Sequence, residues 1–391
     1  MKILAISHMF LTPFDPFDVA VYEMVKEAIK QGYEIKVVCP LPWVPPFLRR
    51  FKKEWHNFAV VPRRMRWNGI ETFYPRYVTF PKSLFLASAG TRMYYGIERV
   101  VLEIWSSFHF DIVHAHMGFP DGFAAMLVAQ KYKRNLVVTI RGSDMLKKGK
   151  AWRAIQRVCQ QANKVLTPSP HLALRIKEQL GVEPTIIPNG IDKKKVFTGE
   201  SQLRQLYKGK TVVLSVARLL PSKGIDLTLR AIQTLKAEFP ELHYIIVGDG
   251  PERQKLQQLA VDLGIRSSVE FVGWQPHEKT MEYMSICDIF CLPSWQETFG
   301  LVYLEAMAHG KPVIGCLGQG VDGIVTQGQT GMLVPPRDVE SITCTLRYLL
   351  HNSTKRREIG QQAKRLVVEN YTWEKSAQKL AAVYQEVGCT P

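Results

Sequence analysis

The feature that most constrains the fold is an alternation of short apolar runs with longer segments of helical periodicity. Aliphatic runs such as Ile3–Ile6 and Ile35–Cys39 flank a segment with helical spacing that ends near Gly32. The same rhythm recurs along most of the 391 residues. Strand, helix and strand in this order predict a parallel sheet that is covered on both faces. The sequence therefore predicts an α/β fold.

The alternation stops at a polar stretch over residues 190–210 and restarts with the apolar run Val212–Ala217. A chain of 391 residues is long enough for two domains, each with its own core. We therefore predict one domain over residues 1–195 and a second over 196–372. The segment 373–391 is predicted to be a last helix that returns to the first domain.

The composition is that of an ordinary globular protein, with 46% hydrophobic and 22% charged residues. No apolar run approaches the roughly 18 residues that span a bilayer. The opening segment 1–8 is too short and too soon polar for a signal peptide and is better explained as a first core strand. The seven cysteines are scattered, without a CxxC pair. We therefore expect a cytoplasmic protein with neither a disulfide framework nor a metal site.

The formal net charge is +16, and most of the excess lies in residues 1–189, which hold 27 basic and 14 acidic side chains. Such a field attracts nucleic acid, anionic lipid headgroups or phosphorylated substrates. No RRM, KH, zinc-finger or helix-turn-helix signature accompanies it, so nucleic acid is not an expected partner.

Residues 42–66 mix aromatic and cationic side chains. The aromatic and aliphatic positions near helical spacing are Phe47, Leu48, Phe51, Trp55 and Phe58. The cations among and after them are Arg49, Arg50, Lys52, Lys53, Arg63, Arg64 and Arg66. A basic amphipathic helix with this pattern suits an anionic membrane surface. The same pattern describes an ordinary helix whose aromatic stripe packs on the sheet, and both interpretations stay open.

Residues 295–305 combine two carboxylates with a predicted helix start. The run Ile289–Leu292 predicts a buried strand, and Gly300–His309 predicts the helix that follows. Glu297 then lies on the loop at the strand end, and Glu305 lies about two turns into the helix. The backbone N–H groups of a helix start bind anions, and carboxylates accept hydrogen bonds from sugar hydroxyls. The segment therefore predicts a nucleotide-sugar pocket.

Other strand ends of the second domain carry polar groups. Arg218 and Lys223 follow Val212–Ala217, at the sheet edge where open α/β sheets bind ligands. Together they can neutralise a diphosphate, or they are two solvated surface charges. The turn Gly248-Asp249-Gly250 permits close approach of a ligand, and Trp274 ends a neighbouring strand where a nucleobase can meet the backbone. Both features are also compatible with a plain turn and a packing aromatic.

Two strand ends of the first domain carry further candidates. His114 and His116 flank Ala115, so alternation points one of them toward the ligand edge and packs the other. Arg141 and Asp144 end the next predicted strand. A lone histidine is more often structural, so these motifs gain weight only in combination.

Taken in this order, the motifs resemble glycosyltransferase family 4, whose members are retaining transferases with the GT-B fold. The matching segments are 114–116, 139–144, 187–192, 218–224, 247–251 and the pair Glu297 and Glu305. Within the family, the chain is most similar to bacterial transferases of cell-wall or surface polysaccharide assembly, such as the teichuronic acid type. The resemblance implies two Rossmann-like, doubly wound domains that face a central cleft. The first would bind the acceptor and the second the nucleotide sugar.

The resemblance also implies residue roles. Glu305 would bind the ribose, Glu297 the donor sugar, and Arg218 with Lys223 the diphosphate. The residues expected to act in catalysis are His116, with His114 as its alternative, Arg218, Lys223 and Glu297. The residues expected to bind the donor are Gly248, Asp249, Gly250, Trp274, Glu297, Phe299, Gly300, Leu301 and Glu305. The residues expected to bind the acceptor are Arg141 and Asp144.

The reaction that the resemblance implies keeps the anomeric configuration through an oxocarbenium-like state, and the leaving phosphate takes the proton of the acceptor. The donor would be a UDP- or GDP-linked sugar, and no cofactor or metal is implied. The acceptor would be lipid-linked or a glycan. The expected location is the cytoplasm, with peripheral attachment to the inner face of the plasma membrane through residues 42–66.

Two segments depart from the family pattern. The first loop, residues 11–18, lacks the glycine pair that the family often has near the diphosphate. We therefore expect this loop to contact the acceptor instead of the donor. The turn 318–323 offers Asp322 where the family often carries a glutamate. Three alternatives remain open, namely a glycogen-synthase-like α-glucan transferase, a GT-B epimerase, and a sugar-nucleotide or polyanion binding protein without catalysis.

Overall fold

A computed structural model describes residues 1–14, 19–80 and 85–389. The chain divides into two compact units. The first unit comprises Met1–Pro168, Leu172–Asn189 and Trp373–Pro391, and the second comprises Ser169–His171 and Gly190–Thr372. The main division thus falls at residue 189, against the predicted 195, and the last helix lies with the first unit. Residues 15–18 of the glycine-free first loop lie outside the described residues.

The first unit contains ten strands and seven helices in its described residues. The strands are β1 (Lys2–Ile6), β2 (Glu34–Val38), β3 (Leu41–Trp43), β4 (Arg64–Trp67), β5 (Ile70–Phe73), β6 (Arg76–Val78), β7 (Ile112–Ala115), β8 (Asn135–Thr139), β9 (Lys164–Thr167) and β10 (Thr185–Ile186). The helices are α1 (Val19–Lys30), α2 (Lys53–Val60), α3 (Ala89–Ser107), α4 (Phe123–Tyr132), α5 (Gly149–Gln161), α6 (Pro170–Leu180) and α14 (Trp373–Gly388).

The second unit contains six strands and seven helices. The strands are β11 (Thr211–Val216), β12 (Leu242–Val247), β13 (Val269–Gly273), β14 (Ile289–Cys291), β15 (Val313–Cys316) and β16 (Met332–Val334). The helices are α7 (Leu203–Leu206), α8 (Ile225–Leu235), α9 (Arg253–Asp262), α10 (His277–Ile286), α11 (Leu301–Ala308), α12 (Val339–His351) and α13 (Ser353–Asn370).

Among the strands that run parallel, the main sheet of each unit reverses its strand order once. The eight-stranded sheet has the order β10-β9-β8-β7-β1-β2-β5-β4, and only the β4–β5 pair is antiparallel. The six-stranded sheet has the order β13-β12-β11-β14-β15-β16, with every pair parallel. The predicted parallel α/β sheets are therefore confirmed. The reversals lie between β1 and β7 in the first unit and between β11 and β14 in the second.

The strands are apolar because helices cover both faces of each sheet. Every residue of β7, β14 and β15 is buried, which leaves no polar alternation along them. The covering helices bury one stripe each, as α8 does with Ile225, Leu229 and Ile232. Most of the candidate side chains therefore lie at or beyond the strand ends.

The predicted amphipathic helix through Phe47–Phe58 is wrong as one continuous helix. The segment 42–66 forms β3, a turn at Pro46–Leu48, the short helix α2 and the edge strand β4. The prolines at 45, 46 and 62 delimit this region, because proline restricts its predecessor and lacks an N–H group. In the described part of the chain, no helix is long and apolar enough to cross a membrane.

The loop after β12 depends on a glycine without space for a side chain. Gly248 has φ +130°, and a Cβ there would overlap the carbonyl oxygen of Ala217. Its N–H donates to the carbonyl of Gly273 at 2.8 Å. The backbones that follow β11, β12 and β13 therefore approach one another closely at the carboxyl edge of the sheet.

We predict that G248A lowers the free energy of unfolding by about 2–4 kcal/mol, since backbone strain and overpacking each cost about 1–3 kcal/mol. The matched control is G264A, because Gly264 also has positive φ (+69°) but nothing within 4 Å of a built Cβ. That variant should lose only about 1–2 kcal/mol from the left-handed conformation. Urea unfolding followed by circular dichroism measures both, and equal losses would contradict the close-contact explanation.

Candidate active site

The order reversal of the second sheet brings two predicted segments together. The loop after β11 carries Arg218 and Lys223, and the loop after β14 carries Glu297. The two loops touch through the Trp295 N–H, which donates to the carbonyl of Ser222 at 3.0 Å. Open α/β sheets bind ligands at such a reversal, because the adjoining loops leave toward opposite faces. The structure thus brings together the residues that the sequence analysis expected to bind the diphosphate and the donor sugar.

Lys223 and Glu297 form an ion pair in which Nζ donates to Oε2 at 2.7 Å. Both side chains are largely buried, with 18% and 15% of their surface exposed. The other carboxylate oxygen accepts the N–H of Thr298 at 3.2 Å. Arg218, in contrast, is exposed and makes no side-chain hydrogen bond or ion pair with the described residues. The edge therefore offers one cation that a carboxylate holds and one that faces solvent.

Helix α11 begins beside this pair. Its first turn follows Gly300, which has φ +78° and no room for a Cβ against the ring of Tyr303. No side chain caps the helix start, and the N–H groups of Phe299, Gly300 and Leu301 have no acceptor among residues 1–14, 19–80 and 85–389. Unpaired N–H groups at a helix start carry a partial positive charge. Together with Lys223, they favour an anion.

The turn 318–323 supports the same loop from behind. The N–H of Gly320 donates to the Glu297 carbonyl at 2.8 Å, and Gln319 Oε1 accepts the Glu297 N–H at 3.1 Å. A Cβ at Gly320 would collide with the backbone at Thr298 and Phe299. Asp322 accepts the N–H of Gly318 at 2.7 Å, so its carboxylate stabilises the turn. Sequence reasoning missed Gln319, because no local pattern marks a contact that lies 22 residues away.

The glycine turn after β12 lies at the same edge. Gly250 approaches the backbone of Leu219, where a Cβ would lie 2.7 Å from the nitrogen. Asp249 accepts the Gly250 N–H and pairs with Arg253 at 2.9 Å. Trp274 is exposed over 58% of its surface. The structure therefore gives the two glycines a steric role, and it leaves Trp274 accessible to a ligand.

Glu305 pairs with a histidine that the sequence analysis did not single out. His277 Nε2 and Glu305 Oε1 are 2.8 Å apart. The hydrogen bond to Glu305 raises the pKa of His277 above its ordinary value of 6.5, against an opposing effect of burial. Only the position of His277, just after β13 at the carboxyl edge, was a usable signal in the sequence.

The structure distinguishes the two histidines at the carboxyl end of β7, His114 within the strand and His116 just after it. His114 uses both ring nitrogens, with Nδ1 2.6 Å from the Tyr384 hydroxyl and Nε2 2.9 Å from Thr139 Oγ1. His116 stacks on it with ring centroids 4.1 Å apart. The buried Nε2 of His116 has no hydrogen-bond partner in the described part of the chain. His114 is thus a structural group, and His116 is the one with an unused polar atom.

His116 and Arg141 line a small cavity of about 20 Å³ in the first unit. That volume holds one water molecule. Burial lowers the pKa of His114 to about 3 and lowers that of His116 well below 6.5, and Arg141 adds to both effects. Both imidazoles are therefore neutral at physiological pH, and His116 can exchange hydrogen bonds but carries no charge.

Asp144 does not have the exposed position that acceptor binding requires. Its side chain is buried, and its oxygens accept the N–H groups of Gly118, Phe119 and Arg141 at 2.8, 3.1 and 3.0 Å. Burial raises the pKa of this carboxyl despite the three donors. Asp144 therefore holds the turn after His116 in place. Arg141 is partly exposed and donates from Nε to the His116 carbonyl at 3.0 Å.

Besides His116, His8 also lies at the reversal of strand order between β1 and β7 in the first sheet. His8 follows β1, and its Nδ1 is 2.9 Å from both carboxylate oxygens of Asp121. Asp121 is fully buried, in the turn that follows β7. Sequence reasoning missed the pair, because 113 residues separate its members. His8 and His116 therefore flank one reversal.

The cation-rich segment 47–66 is accessible. Phe47 and Phe51 are 66% and 63% exposed, and Trp43 is 48% exposed. Arg50 lies over the Phe51 ring at 5.2 Å and Lys52 over the Trp55 ring at 5.1 Å. Phe47 and Phe51 thus do not pack on the sheet, whereas Leu48, Trp55 and Phe58 are partly buried.

Comparisons with solved structures show the fold. A sucrose-phosphate synthase from Thermosynechococcus elongatus superposes with a TM-score of 0.82 over 100% of both chains, at 18% identity. Anabaena HepE, solved with UDP and glucose, gives 0.74 at 19% identity, over 99% of this chain and 100% of that one. Both are similar over their full length. The protein therefore has the GT-B fold of glycosyltransferases.

Sequence comparisons give the family. Residues 18–195 match the model described as Glycosyltransferase Family 4, and residues 199–366 match the one described as Glycosyl transferases group 1. A Bacillus subtilis (strain 168) protein, TuaC, is 27% identical over 99% of both chains, and its name assigns it provisionally as a teichuronic acid biosynthesis glycosyltransferase. The chain belongs to the family 4 glycosyltransferases, with a group 1 domain as its second half.

We predict that His277 titrates in histidine NMR spectra with an inflection above pH 6.5, because Glu305 stabilises the protonated ring. The variant E305Q should return the pKa of His277 toward 6.5.

The same shift makes stability depend on pH. Since the folded state holds the His277 proton more tightly, the pair stabilises the fold fully below about pH 6.5, and its contribution is lost as pH rises through the raised pKa. His114 and His116 should not titrate between about pH 5 and 8. An inflection of His277 at or below 6.5 would sink the assignment.

Proposed function

We propose that the protein moves a sugar, with retention of configuration, from a UDP- or GDP-linked donor to a lipid-linked or glycan acceptor in cell-surface polysaccharide assembly. It would act in the cytoplasm at the inner face of the plasma membrane. The observation that carries the proposal is the Lys223–Glu297 pair at the start of α11, with Arg218 exposed at the same sheet edge. The relationship to TuaC and the UDP bound to HepE support the surface-polysaccharide pathway and the UDP donor respectively.

The donor end follows from charge. A diphosphate at this edge meets Lys223, Arg218 and the free N–H groups before α11, which together offset its negative charge. When the phosphate pairs with Lys223 in place of Glu297, the Glu297 carboxylate becomes free to accept hydrogen bonds from the sugar hydroxyls. Glu305, eight residues further along, accepts hydrogen bonds from the ribose. The same groups stabilise the leaving diphosphate as the glycosidic bond breaks.

The groups proposed for the acceptor end belong to the first unit. His116 is neutral and carries an unused Nε2, so it can exchange a hydrogen bond with a substrate hydroxyl without adding a charge. The leaving phosphate removes the proton of the attacking hydroxyl, which requires no charged base on the protein. Arg141 provides the nearby cation, in contact with the His116 carbonyl.

The exposed surface formed by Trp43, Phe47 and Phe51 favours a lipid-linked acceptor over a soluble glucan. Aromatic rings beside arginine and lysine side chains insert at the boundary between lipid headgroups and acyl chains. The excess positive charge of the first half of the chain adds attraction to anionic lipid.

We predict that R218Q weakens UDP binding about tenfold or more and leaves uridine binding unchanged, because Arg218 addresses the diphosphate. With residues 1–14, 19–80 and 85–389, the Arg218 side chain makes no hydrogen bond or ion pair that the substitution would break. The control is R230Q, which replaces an exposed arginine on α8 in the same unit.

A thermal-shift screen of UDP- and GDP-sugars comes before these measurements, since a ligand at 100 times its Kd stabilises the fold by about 2.7 kcal/mol. Calorimetry then gives the affinities.

Transfer assays with the selected donor separate catalysis from binding. E297A and H116A should each lower kcat by about 100-fold, the usual cost of removing one group that acts in the transition state. Unchanged transfer in both variants would refute the site. Donor binding without any hydrolysis or transfer would favour the non-catalytic alternative.

We predict that the wild-type chain floats with phosphatidylglycerol vesicles in low salt, and that F47S/F51S reduces the bound fraction about tenfold. Each fully buried phenylalanine contributes about 1.5–3 kcal/mol. The control is L206S, which removes an equally exposed apolar residue, 74% exposed, from the second unit. Flotation that is equal for all three proteins, or absent in the wild type, would exclude this membrane surface.

A further inference from the structure

The only side-chain partner of Glu305 within the described residues is His277. The carboxylate is the more buried member, with 18% of its surface exposed against 49% for the imidazole. His277 is the first residue of α10, and Glu305 lies on the second turn of α11. The contact therefore joins two helices that follow different strands of the sheet. Helix α10 follows β13, and helix α11 follows β14.

This geometry restricts the carboxylate. A glutamate has three rotatable side-chain bonds, and a free one samples several orientations. The hydrogen bond from Nε2 uses one acceptor position on Oε1 and fixes the plane of the group. Oε2 and the remaining position on Oε1 then point in defined directions, which suits a pair of neighbouring hydroxyls.

The groups that face His277 suit this contact. They are Glu305 from α11, Lys195 and the adjacent Glu278. The hydrogen bond to Glu305 raises the pKa of His277, which favours a ring that donates to the carboxylate.

We propose that His277 is a positioning residue that orients Glu305 and thereby makes the site select ribonucleotides over 2′-deoxyribonucleotides. The inference rests on the proposed role of Glu305 in ribose binding. It extends that role to a residue outside the motifs that mark the donor site, and to a defined preference for the sugar of the nucleotide.

The test is calorimetric binding of UDP, GDP and their 2′-deoxy counterparts to the full-length chain. Wild type should prefer the ribonucleotide by about tenfold or more, the equivalent of one hydrogen bond to a charged group. H277A and E305Q should both reduce this ratio to about threefold or less. H277Q should keep most of it, because the amide N–H can donate to Glu305 in place of the ring.

The matched control is H351A. His351 also pairs with a glutamate, Glu238, at 2.6 Å, and is similarly exposed at 57%, but it lies at the end of α12, away from the carboxyl edge. It should keep the wild-type ratio. If H277A also keeps the ratio while E305Q loses it, the inference falls and the proposed site stands. If E305Q keeps it, the ribose assignment itself fails, and His277 has no such role. Failure of wild type to bind either nucleotide would overturn the proposed function and the inference together.

Discussion

The structure depends on one reversal of strand order among the parallel strands of each main sheet. Two adjacent strands whose following helices cover opposite faces cannot close the space above their carboxyl ends. In the second unit that space lies between the loops 217–224 and 293–300. Gly224 is held against Pro293, where a Cβ would lie 3.0 Å from the proline ring. The polar groups of the site are few because the strands beneath them must be apolar.

The two carboxylates proposed for the donor site differ in the residue that pairs with them. Glu297 is paired with a lysine and Glu305 with a histidine. The pKa of that histidine is raised by its hydrogen bond to Glu305, so the Glu305 end of the proposed site carries a partner that titrates near neutral pH. In the first unit, by contrast, burial and the charge of Arg141 lower the pKa of His114 and of His116 and keep both rings neutral.

Sequence patterns predicted the sheets well, because apolar runs between helical segments are local signals. The strand-end motifs were placed at the sheet edges for the same reason. What the sequence did not predict are pairings between distant positions, such as His277 with Glu305, because neither residue has a local feature that requires the other. Asp144 was misjudged since its three N–H donors belong to the backbone, which no side-chain motif reveals. The failed continuous helix over Phe47–Phe58 is different, because the spacing of the aromatic residues was given too much weight.

The helix α14 has a consequence for synthesis of the chain. It belongs to the first unit, and its Tyr384 hydroxyl bonds His114, yet in the sequence it follows the whole of the second unit. Domains usually fold in order as they emerge from the ribosome. Here the second unit has its complete sequence available before the first does. His114 therefore gains its final surroundings only after the second unit has been synthesised.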